Sequence, residues 1–370
     1  MKTNNSEIER LAPLDLMRGL AIFGVLVVHT SQVVSAGSAF DALLAFGRFG
    51  VQLFFLVSAY TMCYMWDARI HETNRQRKFY IRRVLRIVPL FWLAIPVYLL
   101  LNGASSELWT PDGRGVLQVL LTATFLHGFV PSAISTVVPG GWSIAAEMTF
   151  YLIFPLIATY VRDWRLLLWA AFATYFINTL WVSPVLLSAL NPHYLGTAQS
   201  SVPRDFVYLN PLNQAPVFLL GCLLYRARFM SSSQLRQVGA FLSLWLVAAF
   251  FAYHQITQDA RAFGFIGIVL VLCVLFYALH QSRSSPFMPL VVLGRFSYGM
   301  YLSHFFVLAY LPSFGIKQGP VYFVLGLCIV LSLSFLIARA LNSLVERPAA
   351  RWAAHLTREA EPVNAARHPA

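Results

Sequence analysis

Residues 320–343 read PVYFVLGLCIVLSLSFLIARALNS, an apolar stretch whose one charged residue, Arg339, lies near its end. The hydrocarbon core of a bilayer is about 30 Å thick, and a helix needs about 20 such residues to cross it. Backbone groups in lipid must be hydrogen-bonded within the segment, which favours a helix over any open structure. This stretch therefore predicts a membrane-spanning helix.

The composition of the whole chain supports the same conclusion. Of 370 residues, 58% are hydrophobic and 11% are charged, against roughly 45–50% and about 25% in ordinary soluble domains. No polar, Pro/Gly-rich linker separates two differently composed halves. We therefore expect one membrane domain over residues 11–350, followed by a cytoplasmic, disordered tail over residues 351–370.

Apolar segments recur along the chain, and basic residues order them across the bilayer. The connection after the second segment holds seven basic residues between Arg69 and Arg86 and is expected in the cytoplasm. Counting from the basic C-terminal region agrees with this only if the fourth segment enters and leaves on one face. The eleven segments lie near residues 14–34, 48–66, 80–101, 116–131, 142–161, 165–184, 208–226, 237–254, 262–280, 290–312 and 320–343.

These patterns together predict an all-α polytopic membrane protein. It should have about ten transmembrane helices, one re-entrant or short non-spanning segment at 116–131, and both termini in the cytoplasm.

The net charge of +12 has a simple explanation in this topology. Basic residues lie at the ends of apolar runs, where the positive-inside rule places them. The expected partner of these residues is therefore the lipid bilayer, and no nucleic acid is expected to bind. The four cysteines are scattered singly, and no Cys-x-x-Cys pair indicates a metal or redox site. We expect no bound metal.

Polar residues inside membrane spans are costly, so each is a candidate functional residue. In the first segment, Arg18 and His29 are eleven residues apart, which places them on nearly one helical face and roughly 16 Å apart along the axis. The structural alternatives are that Arg18 anchors the helix beside Asp15 and that His29 is a hydrogen-bonded packing residue.

A second basic site begins the third segment. Arg83 and Arg86 are three residues apart on one face, a spacing suited to recognising the phosphates of a cytoplasmic ligand. The alternative is that both arginines only anchor the helix at the bilayer surface.

Further polar residues enter the bilayer from the outer side. Glu147, one turn after Ser143, is expected near the depth of His29, where a carboxylate could orient the imidazole, although it could also form an ion pair that only locks helices. Tyr301 and His304 share a face of the tenth segment with Ser297, and core hydrogen bonding is their favoured role. For Ser58, packing with a bond to the backbone is favoured over nucleophilic attack.

These residues and their neighbours resemble the bacterial acyltransferase-3 family. The resemblance covers about residues 11–350, and its one departure is Ala59-Tyr60, where the family usually has Gly and Phe. The motifs occur in the family's order: Leu14 to Ala21 followed by His29, Gly50 to Ser58, Arg83 to Pro89, Trp142-Ser143 with Glu147, Gly294 to Tyr298 with Tyr301 and His304, and Glu346-Arg347-Pro348.

The resemblance implies acyl transfer, most often of acetyl, from acyl-CoA to a hydroxyl of a cell-surface glycan, lipid-linked saccharide or other acceptor. By position, His29 is similar to the catalytic histidine, Arg18 to its partner, and Arg83 and Arg86 to the acyl-CoA-binding pair. Glu147 is expected to assist catalysis, and the residues expected to contact substrate are Trp142, Ser143, Tyr301 and His304. No cofactor is expected to stay bound, and the expected location is the bacterial cytoplasmic (inner) membrane.

Two questions stay open at this level. His29 could act as a general base on the acceptor hydroxyl or as a nucleophile that carries the acyl group. The alternative function is a secondary transporter or flippase, in which the intramembrane His, Glu and Arg residues form a substrate site or proton relay.

Overall fold

The computed structural model describes residues 12–103, 109–110, 113–194, 197, 200–257, 260–281 and 287–358, and every regular element within them is a helix. The α-helices are α1 (Ala12–Val33), α2 (Ser38–Leu44), α3 (Gly50–Asp67), α4 (Arg75–Asn102), α5 (Val116–Ala123), α6 (Trp142–Tyr160), α7 (Trp164–Ile177), α8 (Ser183–Tyr194), α9 (Val202–Leu209), α10 (Pro211–Ala227), α11 (Ser232–Ala252), α12 (Ala260–Gln281), α13 (Met288–Arg295), α14 (Ser297–Tyr310), α15 (Pro320–Leu341) and α16 (Arg347–Leu356). Short 3-10 or π-helical segments join several of them, at Ala45–Phe49, Leu126–Phe129, Asn178–Val182, Tyr253–Thr257, Leu311–Phe314 and Asn342–Glu346.

The predicted all-α, multi-span fold is confirmed. Among the described residues, eight helical stretches are long and apolar enough to cross a bilayer, and the bent pair α13–α14 is a ninth candidate. A shorter apolar helix within α12, Phe263–Leu279, lies where the remaining span was predicted. The chain is therefore a multi-pass membrane protein.

The fourth apolar segment does not cross the membrane, as predicted. Its helix α5 has only eight residues, so it is about 12 Å long, less than half the thickness of a bilayer core. A 3-10 segment at Leu126–Phe129 and a series of turns then lead into α6.

The tenth segment differs from the prediction of one helix over residues 290–312. It forms two helices, α13 and α14, which meet at an angle of 81°. Phe296, between them, leaves the helical conformation with φ of −106° and ψ of 7°. Apolar periodicity records burial along the segment but not a change of direction, so the sequence pattern missed the bend.

The C-terminal region also differs in part. Residues 351–356, assigned to the tail, continue as α16, whose Ala349 and Ala353 are buried. The remainder of the predicted tail, from residue 359 onward, lies outside the described residues.

Helix α1 lies at the centre of the fold and packs against α3, α13, α14 and α15. Its closest contact is with α13, because neither helix carries a side chain where the backbones meet. A Cβ atom at Gly19 would clash with the Leu290 carbonyl, and one at Gly294 would clash with the Asp15 carbonyl. Small residues allow this close packing of membrane helices. The motif residues of α1 and α13 are thereby brought side by side.

Candidate functional site

A cavity of about 340 Å³ lies between α1, α3, α4, α6, α13 and α14. It contains many of the polar residues singled out from the sequence, although they are far apart along the chain. The charged residues that line it are Asp15, Arg18, Arg83, Arg86, Glu147, Arg295 and Glu346. An intramembrane cavity with several charged walls is suited to a charged ligand.

Arg18 is held in place from two sides. Its Nη1 donates to Asp15 Oδ1 at 2.9 Å, and its Nη2 donates to the Thr61 hydroxyl on α3 at 2.8 Å. Arg295 on α13 approaches the other oxygen of Asp15, with Nε at 3.6 Å from Oδ2. The expected pairing with Asp15 is therefore present, and the arginine also faces the cavity.

Glu147 lies in a different hydrogen-bond network from the one predicted. Its Oε1 accepts a bond from Ser58 on α3 and one from Tyr151, each 2.5 Å long. Among the described residues no hydrogen bond joins Glu147 to His29, and the catalytic role of Glu147 stays a prediction. Helical depth alone could not show that the Glu147 side chain turns toward α3.

Arg83 and Arg86 both line the cavity, on the same face of α4. The Arg83 guanidinium lies 5.3 Å from the centre of the Tyr151 ring and 5.6 Å from that of Phe79. Neither arginine forms a salt bridge with any carboxylate among the described residues. Neighbouring Arg82, by contrast, pairs with Glu72 in the connection that precedes α4.

In the wall of the cavity, a hydrogen bond joins α6 to α14. The Ser143 hydroxyl donates to Tyr301 Oη at 2.8 Å, and Tyr301 Oη donates to the Gly140 carbonyl at 2.9 Å. Ser143 and Tyr301 line the cavity, as their predicted contact with substrate requires. Trp142 does not line it and packs edge-on against Phe55, with ring centres 6.1 Å apart.

His29 is absent from the cavity lining. Its ring centre is 5.3 Å from that of His304 and 4.6 Å from that of Phe305, both on α14. His304 is fully buried, and its ring centre is 5.6 Å from that of Tyr301, which does line the cavity. The structure thus places His29 and His304 side by side, and the ring of His304 lies between His29 and the cavity-lining Tyr301.

Several site residues had no functional role in the sequence interpretation. Ser58 was treated as a packing residue, but its hydroxyl bonds to Glu147 and lines the cavity. Tyr151 follows Glu147 by four residues, so the shared helical face was a signal that could have identified it. Thr61, which binds Arg18, had no comparable signal because only the packing of α1 on α3 brings it close.

Comparison with known protein families agrees with these motifs. A family model described as an acyltransferase domain matches residues 11–339, nearly the whole chain. The chain belongs to the acyltransferase-3 family. The residues that face the cavity and the His29–His304 pair are therefore the candidate site of an acyltransferase-3 protein.

Two named proteins are similar to this chain at low identity. The peptidoglycan O-acetyltransferase OatA of Listeria monocytogenes is 24% identical over 79% of this chain and 48% of its own length. The O-acetyltransferase OatA of Staphylococcus aureus is 24% identical over 91% of this chain and 57% of its own length. The chain thus spans about half the length of these relatives. No solved structure matches it.

Proposed function

We propose that this protein is an O-acyltransferase of the bacterial cytoplasmic membrane. It transfers an acyl group, most simply acetyl, from cytoplasmic acyl-CoA to a hydroxyl of a cell-surface saccharide. The observation that carries the proposal is one charged cavity, with two arginines free of carboxylate partners among the described residues, that ends beside a pair of histidines.

The arginines support the choice of donor. Coenzyme A carries several phosphate charges, and guanidinium groups bind phosphate through paired hydrogen bonds. Because Arg83 and Arg86 have no carboxylate partner among the described residues, a phosphate group can approach them without breaking an ion pair. The thioester at the other end of the flexible pantetheine arm then extends along the cavity toward Tyr301.

The histidines support the chemistry. With His29 as general base, its free ring nitrogen takes the proton of the acceptor hydroxyl while the oxygen attacks the thioester carbonyl. The carbon–sulfur bond then breaks, and the coenzyme A thiolate leaves and recovers that proton from His29. With His29 as nucleophile, the same nitrogen attacks the thioester carbonyl, and the carbon–sulfur bond breaks to release the coenzyme A thiolate. The acceptor hydroxyl then attacks the acyl-imidazole, which frees His29, and the hydroxyl proton passes to the thiolate. Either route requires the thioester to reach His29, which is not among the residues that line the cavity.

The relatives support the acyl group and the acceptor class. Both are named O-acetyltransferases, and one name specifies peptidoglycan. We therefore take acetyl as the group transferred and a glycan hydroxyl, on the side of the membrane away from the donor, as the acceptor. The coenzyme A is a substrate, and the proposal needs no bound metal or permanent cofactor.

The test is transfer of label from radiolabelled acetyl-CoA in membranes that contain the protein, with the host's envelope glycans as acceptor. Wild type should form a labelled ester that mild base releases. His29→Ala, and Arg83→Ala combined with Arg86→Ala, should each abolish it at equal protein levels. Arg82→Ala is the matched control, because Arg82 already pairs with Glu72.

Two results would contradict the proposal. Label transfer that survives His29→Ala would remove His29 from the chemistry. Failure of wild type to bind coenzyme A would exclude it as donor and favour the transporter alternative, in which the intramembrane charges move a solute.

A further inference from the structure

The His29 ring has a hydrogen-bond partner on its own helix. Its Nδ1 lies 2.9 Å from Oε1 of Gln32, one turn further along α1. An amide oxygen only accepts hydrogen bonds, so the proton in this contact belongs to Nδ1. A neutral imidazole carries one proton, and Nε2 is therefore left with its lone pair.

The other neighbours of His29 leave that lone pair available. Among the described residues, the titratable group in direct contact with the ring is His304 on α14, and Tyr301 lies beyond it. Nδ1 of His304 lies 2.6 Å from the Tyr301 carbonyl, which also only accepts, so His304 too is protonated at Nδ1. Its Nε2 is buried without a partner. Neither imidazole in this state has an Nε2 proton to donate to the other.

The remaining ring neighbour, Phe305, fixes the plane of the imidazole without competing for hydrogen bonds. Glu147, the carboxylate that the sequence analysis expected near the depth of His29, accepts hydrogen bonds from Ser58 and Tyr151. Among the described residues, the hydrogen bond that His29 Nδ1 donates to Gln32 is thus the one polar contact that distinguishes the two nitrogens of His29.

We propose that Gln32 is a positioning residue that holds His29 as the Nδ1-protonated tautomer and so presents Nε2 to the reacting groups. The inference rests on the proposed function of His29 but does not depend on the route. A general base needs the Nε2 lone pair to take the hydroxyl proton, and a nucleophile needs the same lone pair to bond to the thioester carbon. A neighbour that fixes the tautomer of a functional imidazole typically contributes about 10- to 100-fold.

Two substitutions of Gln32 separate its role as hydrogen-bond acceptor from its role in packing. Gln32→Leu keeps much of the side-chain volume and removes the acceptor, so kcat should fall by about 10- to 100-fold with KM for acetyl-CoA nearly unchanged. Gln32→Glu keeps an acceptor, so activity should be retained. A carboxylate also favours the charged imidazole, so the acidic limb of its pH–rate profile should move to higher pH.

Gln318 provides the matched control. It is another glutamine at the same end of α1, where its amide bonds to Ser35 N at 2.6 Å and to the Val33 carbonyl at 3.2 Å. Gln318→Leu should leave kcat and the pH profile at their wild-type values, because Gln318 bonds to backbone groups and not to an imidazole.

Several outcomes would overturn the inference. If the Gln32→Leu variant kept the kcat of the wild type, the bond between Gln32 and His29 would be unimportant for the reaction. The proposed function would still stand in that case, provided that the wild type transfers label. Equal loss of activity in Gln32→Leu and Gln32→Glu, at normal protein levels, would show that an acceptor is not what this position supplies. The tautomer can also be read without activity, from ¹⁵N spectra of labelled histidine, with His29→Ala to assign the signal. A proton on Nε2 of His29 in the wild type would contradict the assignment.

Discussion

The hydroxyl groups of Ser143 and Tyr301 lie 2.8 Å apart and join α6 to α14 at the end of the charged cavity. Tyr301 also donates to the Gly140 carbonyl, at the turn that begins α6. His304, one turn after Tyr301 on α14, packs on His29. A thioester that entered the cavity past Arg83 and Arg86 would therefore meet the Ser143–Tyr301 contact on its way to His304 and His29.

The two hydroxyls should act as one unit. We expect Tyr301→Phe and Ser143→Ala each to lower the rate of acetyl transfer, and the double variant to be little worse than the slower single one. The coupling energy expected for directly bonded residues is about 0.5–3 kcal/mol. Rates of label transfer for the four proteins measure it, and strictly additive effects would show that the bond has no role in the reaction.

Gly140 should tolerate no side chain. Its φ is +73°, and an added Cβ would lie 2.9 Å from Tyr301 Oη and 3.0 Å from Phe305. Gly140→Ala should lower stability by about 1–3 kcal/mol from backbone strain alone, with a further loss from the clash. Thermal unfolding in detergent measures the loss.

The Gly103→Ala variant is the control for Gly140→Ala, because it introduces backbone strain without a steric clash. Gly103 also has a positive φ, +63°, but no described atom lies within 4 Å of its added Cβ. The Gly103→Ala variant should lose about 1–3 kcal/mol of stability and keep its transfer activity. If Gly140→Ala and Gly103→Ala were equally stable and equally active, the close approach of Gly140 to Tyr301 and Phe305 would be unimportant for activity.

Arg86 should contribute to binding the donor and not to the chemical step. Its replacement by glutamine removes a charge-assisted contact with phosphate, which is worth about 1.5–3 kcal/mol. We expect KM for acetyl-CoA to rise by about tenfold or more while kcat changes little. Arg82→Gln, which breaks the pair with Glu72, should leave KM within about twofold. A fall in kcat with unchanged KM would place Arg86 in a different role.

His127, in the non-spanning fourth segment, should make stability depend on pH. It is 1% exposed, its Nε2 donates to the Gly141 carbonyl at 2.9 Å, and burial lowers the pKa of its imidazole below the ordinary 6.5. The unfolded chain therefore binds a proton more readily than the folded one. This residue's contribution is complete above the unfolded pKa and is lost as the pH falls through 6.5 toward the folded pKa.

Unfolding temperatures at about pH 7.5 and about pH 5.5 test this contribution, whose upper limit is about 1.4 kcal/mol per pH unit. His127→Gln should reduce the loss of stability on acidification, whereas His355→Gln, at an exposed position of α16, should not. The same acid sensitivity in His127→Gln and wild type would mean that other groups cause it.

The sequence predicted some helices accurately and missed other features of the fold. The helices at 14–34, 80–101 and 142–161 were predicted to within a few residues, because each is a long apolar run between polar ends. The non-spanning segment at 116–131 followed from counting charges on either side. The bend at Phe296 was missed, because apolar periodicity does not record a change of helix direction.

The candidate site shows the same division. Arg18, Arg83 and Arg86 were identified as polar residues in apolar surroundings and do line one cavity. Glu147, considered from the sequence as a carboxylate that could orient His29, bonds to Ser58, which was interpreted as a packing residue. Helical periodicity gives the depth of a residue and its face, but the direction of that face depends on the neighbouring helices.

By itself the sequence determined that this chain crosses a membrane many times as helices, because lipid offers no partner for an unpaired backbone group. It also determined which polar residues occur inside that apolar background. Only the tertiary structure decided which of them meet: Glu147 with Ser58, Tyr301 with Ser143, and His29 with His304 and Gln32. Side-chain contacts depend on helix rotation and crossing, which close packing of small residues such as Gly19 and Gly294 sets.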